Sequence, residues 1–119
     1  MKVRIGVSLG PAATPERLGE SVSMLESAGV DSLWLSEVVY GSLVEPFIGM
    51  AYSLARTSKL KVGTGVAVLP GRHPVLVAKQ LTSLAALAPG RVLPVFGLRP
   101  ARRPEAAAFP VPEIGRAHV

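Results

Sequence analysis

The chain has 119 residues and a formal net charge of +5, and 49% of its residues are hydrophobic while only 5% are aromatic. This length normally gives one small domain, and the apolar fraction suits a packed core and argues against general disorder. The sequence has no cysteine, which excludes a disulfide scaffold and a thiolate metal site and is compatible with the cytoplasmic location that we expect.

The first part of the chain alternates between strand and helix patterns. Residues 3–9 form a short, β-branched apolar run that predicts a buried strand. Thr14 is a good N-cap for a helix with Pro15 at its first position, and Gly29 stands where a helix end favours a left-handed residue. Residues 32–36 then predict the second strand.

The middle of the chain repeats this order. A second helix is predicted to begin near Pro46 and to end within residues 56–59. Residues 61–69 predict the third strand, which contains Gly63 and Gly65. Glycine is unusual inside a strand, so these positions predict either a bulge or the close approach of a ligand.

The last regular elements follow the same alternation. Pro74 begins the third helix, with His73 as a candidate cap, and it is expected to end before residues 89–90, which are Pro-Gly. Residues 91–97 predict the fourth strand. Residues 99–119 are rich in proline and arginine without a clear period, which predicts a loop or a disordered tail.

The predicted order is βαβαβαβ. The strands are continuous apolar runs, which is typical of a parallel sheet that is covered by helices or closed into a barrel. Right-handed crossovers place the carboxyl ends of all parallel strands on one rim, and ligands bind at that rim in such folds. The candidate site therefore lies after the strands, near Ser36, Glu37 and Gly97.

Two groups of polar residues on this rim could carry chemistry, and each has a structural alternative. Glu37 directly follows the second strand, where a carboxylate could bind a ligand hydroxyl or move a proton. The alternative is a solvated or arginine-paired acid at a strand end. Arg72 and His73 could hold an anion at the start of the third helix, or His73 could simply cap that helix.

Other classes of site find little support in the sequence. No metal constellation is visible, because the only histidines are His73 and His118. The nucleophile elbow, the P-loop and the dinucleotide-binding fingerprint are all missing. The one basic cluster is at residues 99–103 with few aromatic neighbours, so we expect a solvated loop and no nucleic-acid partner. Without a signal peptide or a long apolar segment, we also expect no membrane partner.

Several segments together resemble the bacterial luciferase-like oxidoreductase family. Residues 63–79 (GTGVAVLPGRHPVLVAK) look like its third strand and following helix, and residues 87–97 (LAPGRVLPVFG) look like its next strand. Residues 32–37 (SLWLSE) and 4–9 (RIGVSL) resemble its second and first strands. The resemblance covers roughly residues 2–111, with the segments in the family's order.

This resemblance implies a fold and an activity. The fold is the N-terminal half, βαβαβαβ, of a TIM (β/α)8 barrel with its coenzyme at the carboxyl-terminal rim. The activity is hydride transfer between coenzyme F-420, a deazaflavin, and a small organic substrate. The Ser36-Glu37 ending of the second strand is most similar to that branch. The alternatives are an FMN-dependent monooxygenase and a non-catalytic half-barrel that self-associates.

The resemblance also implies roles for individual residues. In many deazaflavin-dependent members the third strand carries a non-proline cis peptide in a bulge behind the ring, and that position matches Gly65 and Val66. Many members carry an acid-histidine pair after the second strand, but Val38 here replaces the histidine, which leaves Glu37 as the catalytic candidate. The cofactor-binding residues that the resemblance implies are Gly65, Val66, Thr64, Ser36 and Gly97.

The end of the chain predicts a non-native segment. Residues 1–111 would form the truncated barrel domain and residues 112–119 a tail. A common sequencing adapter, translated in one reading frame, encodes residues 114–119 (IGRAHV) followed by a stop codon. We therefore expect that these residues are adapter read-through, and we give His118 no role. A genomic stop directly after the Val119 codon would contradict this. A half-barrel has open sheet edges, so we expect this chain alone to have little activity and either to be poorly soluble or to pair with a second copy as a homodimer.

Overall fold

Strands and helices alternate along the chain, and the computed structural model describes residues 3–100 and 102–109. The predicted non-native tail, residues 112–119, lies outside the described part. The α-helices are α1 (Leu18–Ser27), α2 (Pro46–Arg56) and α3 (Pro74–Leu87), and 3-10 helices cover Gly10–Ala12 and Arg103–Ala108. The strands are β1 (Gly6–Ser8), β2 (Ser32–Leu35), β3 (Lys61–Thr64), β4 (Ala67–Val68), β5 (Val92–Leu93) and β6 (Phe96–Gly97).

The strands form parallel sheets, as the sequence predicts. β1, β2, β3 and β5 pair in that order, and β4 pairs with β6. In the register of the main sheet, Leu33 lies between Val7 and Val62. Since β4 and β6 prolong β3 and β5, the six strands correspond to the four predicted ones. The prediction of a βαβαβαβ half-barrel is therefore confirmed.

The hydrophobic core lies between the sheet and the helices. Leu33 and Leu35 of β2 belong to it, and alternation along the strand therefore places Ser32 and Trp34 on the opposite face. Right-handed crossovers between neighbouring parallel strands keep the three helices on one face, as in a barrel wall. The core consists of Ala13, Leu18, Val22, Leu33, Leu35, Phe47, Met50, Leu54, Leu60, Val62, Ala67, Val77, Leu84 and Ala88.

The ends of α1 agree only partly with the prediction. The regular helix begins at Leu18 instead of Pro15, because Arg17 and Leu18 both donate backbone hydrogen bonds to the Thr14 carbonyl in a turn that precedes it. The predicted end is confirmed. Gly29 has a φ of 74°, and the Val30 amide donates to the Leu25 carbonyl, which is the pattern of a left-handed helix end.

The other two helices begin at prolines, as predicted, and each has a side-chain cap. The Glu45 carboxylate accepts a hydrogen bond from the Ile48 amide at 2.8 Å before α2. Nδ1 of His73 accepts one from the Val75 amide at 3.2 Å before α3. The capping alternative for His73 is thus the one found, and its ring nitrogen is engaged by its own helix.

Each of the last two predicted strands is interrupted once. Residues 61–69 divide into β3 and β4 around Gly65 and Val66, and residues 91–97 divide into β5 and β6 around Pro94 and Val95. Proline lacks the amide that a continuous ladder needs, which explains the second interruption. The first is the predicted bulge.

The prediction of an unstructured segment after residue 98 is wrong for residues 103–108, which form a 3-10 helix. Glu105 in this helix is 1% exposed, and its carboxylate accepts hydrogen bonds from the amides of Val39 and Tyr40 at 2.8 and 3.4 Å. The segment is ordered because a buried carboxylate joins it to the loop after β2. Among residues 3–100 and 102–109, no helix has the length and apolar character to cross a membrane.

Glu26 near the end of α1 accepts hydrogen bonds from the segment that leads into β3. Desolvation raises the pKa of its carboxyl, but hydrogen bonds from the amides of Lys59, Ser58 and Leu60 outweigh it and hold the pKa below the ordinary value of 4.5. A lowered pKa in the folded state contributes stability above the ordinary pKa, and this contribution is lost as the pH falls through the folded value.

We therefore expect Glu26→Gln to lower the free energy of unfolding at pH 7 and to have progressively less effect as the pH falls below 4.5. Urea denaturation of both proteins across this range measures the difference. Glu20→Gln is the matched control, since Glu20 is exposed on the same helix and should leave the curve unchanged. An effect of Glu26→Gln that does not vary with pH would contradict the prediction.

Candidate functional site

A β-bulge interrupts the third barrel strand at its carboxyl end. Between the pairs Gly63↔Leu93 and Ala67↔Phe96, the first strand has residues 64–66 where the second has only 94–95. One extra residue is therefore accommodated on the first strand. The Gly65–Val66 peptide bond is cis, at the position that the family resemblance indicates.

The end of β2 holds this bulge through hydrogen bonds. The Gly65 amide donates to the Leu35 carbonyl at 2.8 Å, and the Glu37 amide donates to the Val66 carbonyl at 3.2 Å. The Ser36 hydroxyl donates to the Gly65 carbonyl at 3.0 Å. Ser36 therefore lies against the bulge, as the predicted site requires, and its hydroxyl is bonded to the backbone there.

Thr64 supports the bulge from within the sheet. Its side chain is fully buried, and its hydroxyl donates to the Val95 carbonyl at 2.7 Å and accepts from the Val95 amide at 2.8 Å. The hydroxyl thus replaces a backbone bridge where the ladder between β3 and β5 has ended. This burial gives the Thr64 side chain a supporting position below the exposed surface of the bulge.

The open face of the sheet at this rim is small and mostly apolar. Gly65 is exposed and Val66 is 37% exposed. A Cβ atom added to Gly97 would lie 2.9 Å from Cγ2 of Val66, so Gly97 and Val66 adjoin each other. A Cβ atom on Gly65 would lie 3.6 Å from Trp34, whose ring covers the face just below. The structure thus brings the predicted Gly65, Val66 and Gly97 together.

Glu37 is buried and paired. Its side chain is 4% exposed, and Oε1 accepts a hydrogen bond from the Val68 amide at 2.8 Å. The same guanidinium nitrogen of Arg72, Nη2, contacts both carboxylate oxygens, with Oε2 at 2.6 Å. Of the two interpretations that the sequence left open, this geometry is that of an arginine-paired acid, because both carboxylate oxygens contact Arg72.

Arg72 joins three elements behind the bulge. Its Nε donates to the Val68 carbonyl at 2.9 Å, and its guanidinium carbon lies 4.8 Å from the centre of the Phe47 ring. Glu45 of the α2 cap is 3.4 Å from Nη2. The sequence suggested Arg72 as an anion site, and the anions that it contacts are Glu37 and Glu45.

A cavity of about 310 Å³ lies beside this ion pair, lined by Glu37, Val39, Glu45, Arg72 and Phe109 among others. Val66 and Gly97, which form the open face of the bulge, are not among the residues that line this cavity. Within the described residues no group of three histidine, cysteine, aspartate or glutamate side chains could hold a metal ion.

Comparisons with known proteins agree with this geometry. A family model described as luciferase-like monooxygenase matches residues 1–107. The chain is 39% identical over 69 residues to the alkanal monooxygenase alpha chain of Photorhabdus luminescens, covering 56% of this chain and 19% of that protein. It is 28% identical over 106 residues to an F420-dependent glucose-6-phosphate dehydrogenase of Kineococcus radiotolerans, covering 83% of this chain and 32% of that protein.

A solved structure shows the same fold. The oxygenating constituent of 3,6-diketocamphane monooxygenase from Pseudomonas putida, in complex with FMN, superposes with a TM-score of 0.76 at 23% identity. The match covers 90% of this chain and 32% of that one. The chain thus spans between about a fifth and a third of the length of these relatives. Because the family model matches residues 1–107 and the half-barrel fold is shared, the chain belongs to the luciferase-like monooxygenase family.

Proposed function

We propose that this chain is the first part of an oxidoreductase that binds the flat ring of a deazaflavin or flavin against the bulge at Gly65 and Val66. The observation that carries the proposal is the bulge itself. It presents an exposed surface, formed by Gly65 and the Val66 side chain, at the carboxyl-terminal rim, where barrels of this kind bind their ligands. When bound, the coenzyme supplies the redox chemistry, and the protein orients it.

The residues of the bulge would act by shape and by holding the backbone still. Val66 and Gly97 provide an apolar, closely packed surface that excludes water from one face of a ring. Ser36 and Thr64 fix the backbone of this surface through the Gly65 carbonyl and through Val95. The opposite face of the ring would remain open for a small organic substrate.

We place the deazaflavin coenzyme F-420 first and FMN second. The similarity to an F420-dependent dehydrogenase extends over 106 residues at 28% identity, against 69 residues at 39% identity for the alkanal monooxygenase. The Ser36-Glu37 ending of the second strand is most similar to the F-420 branch, whereas Val38, where many family members have a histidine, argues against a histidine-based proton relay. The fold shared with a protein in complex with FMN favours the alternative, an FMN-dependent monooxygenase.

The single tryptophan of the chain gives a direct test. Trp34 lies below Gly65, so a flavin-type ring bound on the bulge should quench its fluorescence. We expect saturable quenching with F-420 at lower concentrations than with FMN. The reverse order would favour the FMN alternative. No quenching by either, together with a stable dimer, would favour the self-associating half-barrel.

Two valines provide a matched pair of variants for this titration. Val66 is 37% exposed on the bulge, and Val75 is 68% exposed on α3, away from the sheet face. Val66→Glu should weaken binding by about tenfold or more, because a carboxylate and its water would replace the apolar contact. Val75→Glu should leave binding unchanged. Equal affinities of the two variants would contradict the assigned binding surface.

A further inference from the structure

We propose that Arg72 is a positioning residue for the bulge, acting through Glu37 and the backbone of Val68. The inference rests on the proposed function, because the surface that Arg72 would hold in place is the one on which the coenzyme ring is proposed to lie. It assigns to the buried ion pair a role other than proton transfer.

Val68 bonds to the ion pair through both of its peptide groups. Its amide donates to Oε1 of Glu37 at 2.8 Å, and its carbonyl accepts from Nε of Arg72 at 2.9 Å. Because Arg72 also contacts both oxygens of Glu37, the two side chains form a closed ring of hydrogen bonds around the backbone of one residue. Such charge-assisted bonds are stronger than neutral ones and fix direction as well as distance.

Val68 connects the ion pair to the bulge. Val68 lies in β4, directly after the segment Gly65–Val66. On the other side of that segment, Leu35 and Ser36 hold Gly65. The bulge is therefore held at both ends, and Arg72 with Glu37 provides the side-chain hold at its carboxyl end. Loss of this hold would allow the exposed peptide to shift relative to Gly97.

Arg72 itself is held in place by its neighbours. Its guanidinium lies over the Phe47 ring at 4.8 Å, Phe47 contacts Phe96 of β6 with ring centres 6.1 Å apart, and the side chain is only 20% exposed. A planar guanidinium can stack and bond several acceptors together, whereas a lysine ammonium cannot reproduce that geometry. These contacts therefore hold the ion pair of Arg72 and Glu37 in a single geometry.

The test compares Arg72→Met with Arg56→Met. Arg56 is a matched control because its guanidinium carbon also lies over an aromatic ring, that of Tyr52 at 5.4 Å, but on the exposed side of α2. In Arg72→Met we expect amide exchange at Val68 to accelerate and the affinity for the coenzyme to fall by about 10- to 100-fold, since a small misplacement of a binding surface is costly. Arg56→Met should change neither.

Two further variants separate positioning from general destabilisation. Arg72→Lys should recover only part of the affinity, because it keeps the charge and loses the fork of donors. The double variant Arg72→Met with Glu37→Gln should lose no more than the worse single variant, because both act through Val68. The proposal would be overturned if the losses of affinity added up in the double variant, or if Arg72→Lys bound the coenzyme as tightly as wild type.

The experiment also distinguishes this proposal from the proposed function. If the wild-type protein binds neither coenzyme, the proposed function fails, and amide exchange at Val68 still decides whether Arg72 holds the bulge. If the wild-type protein binds and Arg72→Met binds equally well with unchanged exchange at Val68, the proposed function stands and the role of Arg72 is refuted.

Discussion

Replacing Gly63 by alanine is expected to lower the free energy of unfolding by about 3 kcal/mol or more, at the upper end of the usual cost of overpacking. A Cβ atom at this position would overlap the backbone carbonyl oxygen of Leu93 and would lie 2.9 Å from the Trp34 ring. Since Gly63 and Leu93 are paired in the sheet, the backbone of β5 would have to move, and a rotamer change cannot relieve the contact.

The matched control is Gly65→Ala in the same strand. A Cβ atom there would be 3.6 Å from Trp34, which is ordinary van der Waals contact, so we expect a change of less than about 1 kcal/mol. Guanidinium denaturation monitored by Trp34 fluorescence measures both variants. Similar stabilities of the two would show that the sheet can open between β3 and β5, and would contradict the structure at that point.

These two glycines also show how far the sequence predicts the fold. Their presence in an apolar strand predicted a bulge or the close approach of a ligand. The structure contains the bulge, at Gly65, whereas the space at Gly63 is taken by Leu93 of the neighbouring strand. Prolines at 46 and 74 predicted the starts of two helices correctly, because their effect on the backbone is local. Local signals of this kind were sufficient for the order of strands and helices.

Contacts between distant parts of the chain could not be predicted in the same way. The pairing of Glu37 with Arg72, and of Thr64 with Val95, depends on the register between strands, which no single segment encodes. Glu105 lies in a segment without periodicity, and its burial follows from two backbone amides after β2. The position of the rim was therefore predictable, whereas the roles of its polar side chains required the structure.

The second large effect is expected from Leu33→Ala, in the centre of the main sheet. Leu33 has no exposed surface and belongs to the core between β2 and the helices. Truncation removes apolar contacts and leaves a cavity that its neighbours fill only partly. A loss of about 2–5 kcal/mol is typical of such a change. That is a large part of the stability of a small domain, which is about 5–15 kcal/mol.

Leu87→Ala is the same substitution on the outside of α3, where Leu87 is 83% exposed. Its removal creates no cavity, and alanine is the better helix former, so the free energy of unfolding should stay within about 0.5 kcal/mol of wild type. Urea denaturation of both variants measures the difference, with unchanged slopes confirming the same unfolded reference. If Leu87→Ala proved as destabilising as Leu33→Ala, this face of α3 would have to be buried in solution. That result would support the self-associating half-barrel.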